Sequence, residues 1–172
     1  MLENWKTSTV VRIENENNDT KRFWFQVAEV EVFDFIPGQF VTLDLPIHEK
    51  KNKRWRSYSI ASAPSKTNIF ELVIVLLENG AGTNYLFNEV TVGTEIKFRG
   101  PIGKLSLPEK LDKNLMFICT GTGIAPFRSM IKFILENEIP HQRIDLVFGC
   151  RKFSDTLYEK EFLELQNKYP TF

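Results

Sequence analysis

Leu115-Met116-Phe117-Ile118-Cys119-Thr120-Gly121-Thr122-Gly123-Ile124-Ala125-Pro126 decides the architecture of this chain. Its first five residues are an unbroken apolar run, the pattern of a strand buried inside a parallel sheet. Two glycines follow at once. Pro126 then suits the first turn of a helix, where a missing N–H costs nothing. Phe127, Met130, Ile131, Ile134 and Leu135 recur at the helical period. A strand, a Gly-x-Gly turn and a helix N-terminus make a cradle for phosphate, because backbone N–H groups approach closely and the helix end adds partial positive charge. No Gly-Lys-Ser/Thr follows, so the turn is not a P-loop. Pro126 stands where a G-x-G-x-x-G fingerprint has its third glycine. On these letters alone, a tight strand-to-helix turn without a ligand fits equally well.

Downstream, Ile144 to Gly149 reads as a second strand. Thr156 and Glu159 have the spacing of a capping box. Leu157, Tyr158, Phe162, Leu165 and Tyr169 give the following helix an apolar stripe. This βαβα order opens a doubly wound α/β domain on a parallel sheet. Two strands and two helices leave that domain incomplete. The sequence therefore reads as truncated, or as one whose missing strands come from elsewhere.

Upstream, Pro108 to Asn114 is polar and reads as a linker. Before it lie short runs rich in β-branched and aromatic residues: Thr9–Ile13, Arg22–Val27, Phe40–Leu45, Arg56–Ile60, Ile69–Leu77 and Thr94–Arg99. Turn signals at Asn15–Asp19, Pro37-Gly38, Asn79-Gly80 and Gly100-Pro101 punctuate them. Thr83 reads as the N-cap of a short helix. The pattern predicts an all-β antiparallel barrel of Greek-key type or a sandwich over residues 1–108, followed by the partial α/β domain over 112–172.

One of those strands carries chemistry of its own, in Arg56-Ser57-Tyr58-Ser59. A guanidinium is a planar fork suited to a diphosphate. Tyr58 offers a flat ring, and Ser59 a hydroxyl that donates or accepts. Residues 56 and 58 face one side of a strand and 57 and 59 the other, so a strand end or bulge is needed for all four to meet one ligand. An edge strand with a solvated arginine and a half-buried tyrosine has the same four letters.

Lys+Arg and Asp+Glu both number 22, which argues against binding nucleic acid through bulk charge. Lys50, Lys51, Lys53 and Arg54 nevertheless gather just before Arg56, as a solvated loop or as an attractant for phosphates or an acidic partner. The two cysteines, Cys119 and Cys150, lack zinc or iron–sulfur spacing. No signal region or run of membrane-spanning length is evident, so a cytoplasmic protein with reduced thiols is expected.

Taken together, the two halves resemble the ferredoxin–NADP reductase superfamily, which pairs a flavin-binding barrel with a pyridine-nucleotide domain. The resemblance covers nearly the whole chain. It implies that Arg56 and Ser57 lie at the flavin, Arg56 on its diphosphate, that Tyr58 packs on the isoalloxazine, and that Ser59 bonds near flavin N5 as the catalytic residue. Val73, Ile74 and Val75 line the flavin, and Gly82-Thr83 gives a second diphosphate contact. Thr120-Gly121-Thr122-Gly123-Ile124-Ala125-Pro126 matches the nicotinamide-nucleotide loop. Gly149-Cys150-Arg151, followed by Asp155 to Glu159, resembles the next nucleotide-side segment. Cys150 itself reads as a small packed residue rather than a nucleophile. Gly100-Pro101-x-Gly103 fits the turn before the domain junction.

The activity so implied is hydride transfer from NAD(P)H to FAD, then electrons to a protein acceptor: ferredoxin, flavodoxin or an oxygenase component. FAD is favoured over FMN because Arg56 aims at a diphosphate. The rivals are a non-catalytic flavin- or nucleotide-binding subunit or sensor, and an interaction domain with no cofactor. Two departures qualify the match. The superfamily's late cysteine-glycine segment has no counterpart before Phe172, and the lysine that many relatives carry near Val75 is absent. A chain that holds flavin yet is reduced poorly is the expectation.

Overall fold

The computed structural model describes residues 5–172. Six antiparallel strands form the first sheet: β1 (Lys6–Asn15), β2 (Thr20–Gln26), β3 (Phe40–Asp44), β4 (Trp55–Ser59), β5 (Ile69–Val75) and β6 (Glu95–Ile102). Their order in space is β4-β3-β6-β1-β2-β5, so β6 returns late in the chain to sit between β3 and β1. The sheet then curls until its two edge strands meet. Ile60, just after β4, bridges Leu72 of β5, and the Ala61 N–H donates to the Glu71 carbonyl at 2.8 Å. Closure removes the exposed strand edge that would otherwise pair with other chains.

Period-two alternation decides what fills the barrel. Phe23 and Phe25 of β2 face inward, opposite Leu72 and Phe70 of β5. Phe70 is the hub, with ring centroids 5.3 Å from Phe25, 4.9 Å from Phe33 and 5.3 Å from Phe98. The outward-facing residues of β5 are Glu71, Val73 and Val75. They point away from this core, toward the second half of the chain.

A short helix α1 (Ala81–Asn88) follows β5. Its N-cap is Gly80, and Thr83 lies inside the first turn rather than capping it. The Thr83 hydroxyl instead closes the loop before the helix, accepting from the Leu77 N–H at 3.1 Å.

The second sheet has two parallel strands, β7 (Leu115–Thr120) and β8 (Ile144–Gly149), joined through α2 (Ile124–Glu136). Helix α3 (Glu159–Lys168) follows. Phe117, Met130, Ile131, Ile134, Leu135, Ile144 and Leu165 share one core between the helices and the sheet. The opposite face is bare: Met116 is 64% exposed and Ile118 66%. The unbroken apolar run of β7 predicts two covered faces, and among the described residues one is covered.

The predicted capping box does not form. The N-cap of α3 is Tyr158, in the left-handed region with φ 56°. Thr156 donates its hydroxyl to the Phe153 carbonyl at 2.7 Å, closing a 3-10 turn that precedes the helix. Leu157 and Tyr158 therefore pack from the loop before α3, and Tyr169 follows the helix.

Truncating the barrel hub tests the core. Phe70→Ala is expected to cost about 3–5 kcal/mol through lost burial and a residual cavity, read as a lower urea midpoint at unchanged slope.

Candidate functional site

Strand β4 pairs with β3 in regular register, from Phe40 opposite Ser59 to Asp44 opposite Trp55. No bulge bends it. A cavity of about 550 Å³ opens beside it, lined by Arg56, Ser57, Tyr58, Val73, Ile74, Val75, Gly82, Thr83 and neighbouring residues of the 77–81 loop. With Thr122, which also lines it, nine sequence-predicted residues thus meet around one space. Ser59, the last residue of β4, is not among the residues that line it.

The cradle is narrow where Arg56 passes under α1. A Cβ on Gly82 would lie 2.9 Å from Arg56 Cγ, so only glycine lets the guanidinium stem run against the helix N-terminus. Arg56 Nη1 donates to the carbonyls of Lys53 and Trp55 at 3.0 and 2.8 Å, which fixes the fork's orientation. Cation and helix end then point at the same region, an arrangement suited to a diphosphate. Burial pushes the Tyr58 phenol up to about 12, against the opposing pull of Arg56, so its ring stays neutral.

A second cavity of about 300 Å³ adjoins the first. Thr120, Gly121, Thr122, Gly149, Cys150 and Arg151 line it, with Asn17, Asp19 and Thr20 from the β1–β2 turn. Val75 and Thr122 border both cavities. Gly121 takes φ 50° and turns the chain from β7 into a 3-10 turn that leads into α2. Of the predicted loop, Thr120, Gly121 and Thr122 face the space. Gly123 begins the helix, while Ile124, Ala125 and Pro126 are buried in its packing. Cys150 is exposed at the cavity rather than packed, and burial pushes the Cys119 thiol up to about 11.

Between the barrel and α2 lies a buried ionic cluster that the sequence reading missed. Glu71 and Arg128 are each 3% exposed. Arg128 Nη1 donates to Glu71 Oε2 at 3.1 Å and to the Ala61 carbonyl at 2.7 Å. Its Nε and Nη2 grip Glu161 at 2.8 and 2.7 Å. Arg22 Nε and the Tyr158 hydroxyl both donate to Glu71 Oε1, at 2.7 and 2.8 Å. The Tyr158 N–H donates to Glu16 Oε1 at 2.5 Å. Burial, then the Glu71 charge, holds the Tyr158 phenol well above its usual range. Burial alone would raise the Glu161 carboxyl, but Arg128 outweighs it and holds the group below its usual 4.5. The signal was present: Glu71 is the only charge in its apolar run, and Arg128 sits between Ile124 and Ile131 on one helical face.

A closed antiparallel barrel carrying an Arg-x-Tyr-Ser strand, joined to a parallel sheet with a glycine turn, has the layout of an oxidoreductase FAD-binding domain followed by an NAD-binding one. The chain belongs to the oxidoreductase FAD-binding domain family, whose model matches residues 7–107, and the oxidoreductase NAD-binding domain matches residues 117–172. It is 32% identical over 157 residues to NADH-cytochrome b5 reductase 1 of Dictyostelium discoideum, covering 91% of this chain and 54% of that protein. It is 29% identical over 164 residues to the glycine betaine monooxygenase reductase subunit of Chromohalobacter salexigens, covering 94% and 43%. Among solved structures, the Amycolatopsis cytochrome P450 reductase GcoB superposes with a TM-score of 0.87 at 26% identity, over 98% of this chain and 50% of that one. The chain thus spans about half the length of the relatives it matches. No helix among the described residues is long and apolar enough to cross a membrane.

Acid titration reads the ionic cluster. The depressed Glu161 group contributes stability above its unfolded value of 4.5, and that contribution is lost as pH falls through the lower folded value. Unfolding free energies measured from pH 7 down to 3 are expected to fall on this limb, and Glu161→Gln is expected to lower stability at pH 7 and flatten the limb.

Proposed function

We propose that this chain is the flavin-binding and part of the nucleotide-binding portion of an NAD(P)H-dependent oxidoreductase that hands electrons to a protein acceptor. The observation that carries the reading is the junction of the two cavities at Val75 and Thr122: a ring in each would meet there. The division into a flavin domain over 1–108 and a nucleotide domain over 112–172 is part of the same reading. FAD held there would supply the redox chemistry, from hydride acceptance to one-electron release to an acceptor.

The chain's own residues bind, orient and exclude water. Arg56, with Gly82 and Thr83 at the start of α1, holds the flavin diphosphate. Tyr58 would offer the isoalloxazine a neutral ring to pack on, and Val73 to Val75 would supply an apolar lining. The fit to FAD rests on the Arg56 fork lying against a helix N-terminus, which a diphosphate would use more fully than a single phosphate. Ser59 stands outside the cavity lining, so a role at flavin N5 requires it to turn at the strand end. Thr120 to Thr122 and the 149–151 segment receive the nucleotide. Relatives named as reductases of oxygenases and of cytochrome b5 support a protein acceptor such as a ferredoxin, flavodoxin or oxygenase component. Cytoplasmic residence goes with this reading.

An absorbance spectrum of the purified chain, before and after anaerobic NADH or NADPH, tests it. A flavin spectrum that bleaches, though slowly, is expected; a yellow protein that neither nucleotide bleaches would favour a flavin-holding subunit, and a colourless one that takes up no FAD would end the reading. Arg56→Ala and Gly82→Val are each expected to weaken FAD retention about tenfold or more, the loss of one or two charge-assisted hydrogen bonds. An Arg56→Ala protein that keeps FAD as tightly as the parent would refute the diphosphate assignment.

A further inference from the structure

We propose that Glu71 is a positioning residue for hydride transfer: its buried carboxylate fixes both nucleotide-binding segments against the strand that walls the flavin. The inference rests on the function proposed above and adds a residue to it.

Three segments converge on this one side chain. Glu71 shares the outer face of β5 with Val73 and Val75, and Val75 borders both cavities. From Glu71 to Val75 is about 13 Å along the strand. Arg128, bonded to Glu71 Oε2, lies one helical turn after Ile124, where α2 leaves the glycine loop. Tyr158, bonded to Glu71 Oε1, ends the segment that carries Cys150 and Arg151. A shift of either segment along β5 would break a hydrogen bond to a carboxylate that is 3% exposed.

The backbone supplies a second, independent sign. Tyr158 is held at φ 56°, where a bulky side chain is strained. It is held from both ends, by its hydroxyl on Glu71 and its N–H on Glu16. Arg22 and Arg128 stack on its ring at 4.8 and 4.2 Å from the centroid. Strain maintained at this cost in contacts fits a segment whose placement matters.

Misplacing reacting groups by about 1 Å costs up to about 100-fold in rate. Glu71→Gln is therefore expected to keep FAD and to slow anaerobic flavin reduction by NADH or NADPH by about tenfold or more. Reduction by dithionite and reoxidation by ferricyanide should not change. In hydrogen–deuterium exchange without nucleotide, amides of residues 119–125 and 157–158 should lose protection while those of β1 and β3 keep it. Tyr158→Phe removes a single hydroxyl and should move both readouts the same way by less; it decides the matter where Glu71→Gln fails to fold. Ile131→Val, which loosens α2 without touching the cluster, should leave the reduction rate alone.

A parent-like reduction rate in Glu71→Gln, or a slowed rate with parent-like exchange in those segments, overturns the proposal. Equal slowing in Ile131→Val also overturns it, since general loosening would then suffice. A parent chain that neither nucleotide reduces defeats the proposed function, and exchange alone then decides whether Glu71 fixes the two segments.

Discussion

A carboxylate that is 3% exposed is costly to bury unless hydrogen-bond donors meet it. Glu71 meets that condition with three donors, Arg22, Arg128 and Tyr158, each from a different segment. Removing one partner from such a pair leaves an uncompensated charge and typically costs about 3–5 kcal/mol. Replacing the whole cluster with apolar side chains would cost far less, so stability alone does not account for it. Apolar contact is non-directional and tolerates sliding. Hydrogen bonds between a fork and a carboxylate do not, because their geometry admits one register.

That register links the two cavities. Strand β5 serves the barrel with its inner face, through Phe70, Leu72 and Ile74. Its outer face belongs to the junction, where Val73 packs with Ala61, Cys119, Ile124, Ala125, Leu157 and Tyr158. One strand therefore transmits the position of the larger cavity's wall to the helix that begins at the glycine loop. Arg128 deepens the tie by donating to the Ala61 carbonyl, which is next to the Ile60–Leu72 bridge that closes the barrel. Barrel closure and helix docking share the same few residues.

The strands and the glycine loop were legible because their signals are local. Alternation, turn residues and Gly-x-Gly are written within a few positions, and β8 spans Ile144–Gly149 as its sequence predicts. What escaped depends on partners remote in sequence. Glu71 and Arg128 are 57 positions apart, and neither pattern names the other. A lone charge inside an apolar strand, and an arginine on the apolar stripe of a helix, are the traces such a pair leaves. The capping box failed for a similar reason. Tyr158 is drawn into the junction by Glu71 and Glu16, so α3 starts where that anchor allows and Thr156 turns back to Phe153. Thr83 was misread because the loop from Leu77 to Gly80 needed its hydroxyl more than the helix end did.

The two sheets do not depend on the junction equally. The barrel closes on itself and fills its interior with phenylalanine. The β7–β8 pair has two strands, one helical layer, and Met116, Ile118 and Val147 bare on the other face. Two strands alone are marginal in water, and α2 and α3 bury only one side of these. The remaining support comes from the barrel, through the apolar contacts of Val73 and Ala61 and the ionic contacts of Glu71. Loosening the junction should therefore be felt first in the glycine loop and the 149–158 segment, while the cavity wall on β5, anchored on the Phe70 side, keeps its shape. The parts of the site that must move least in relation to each other are thus held by the element with the most independent support.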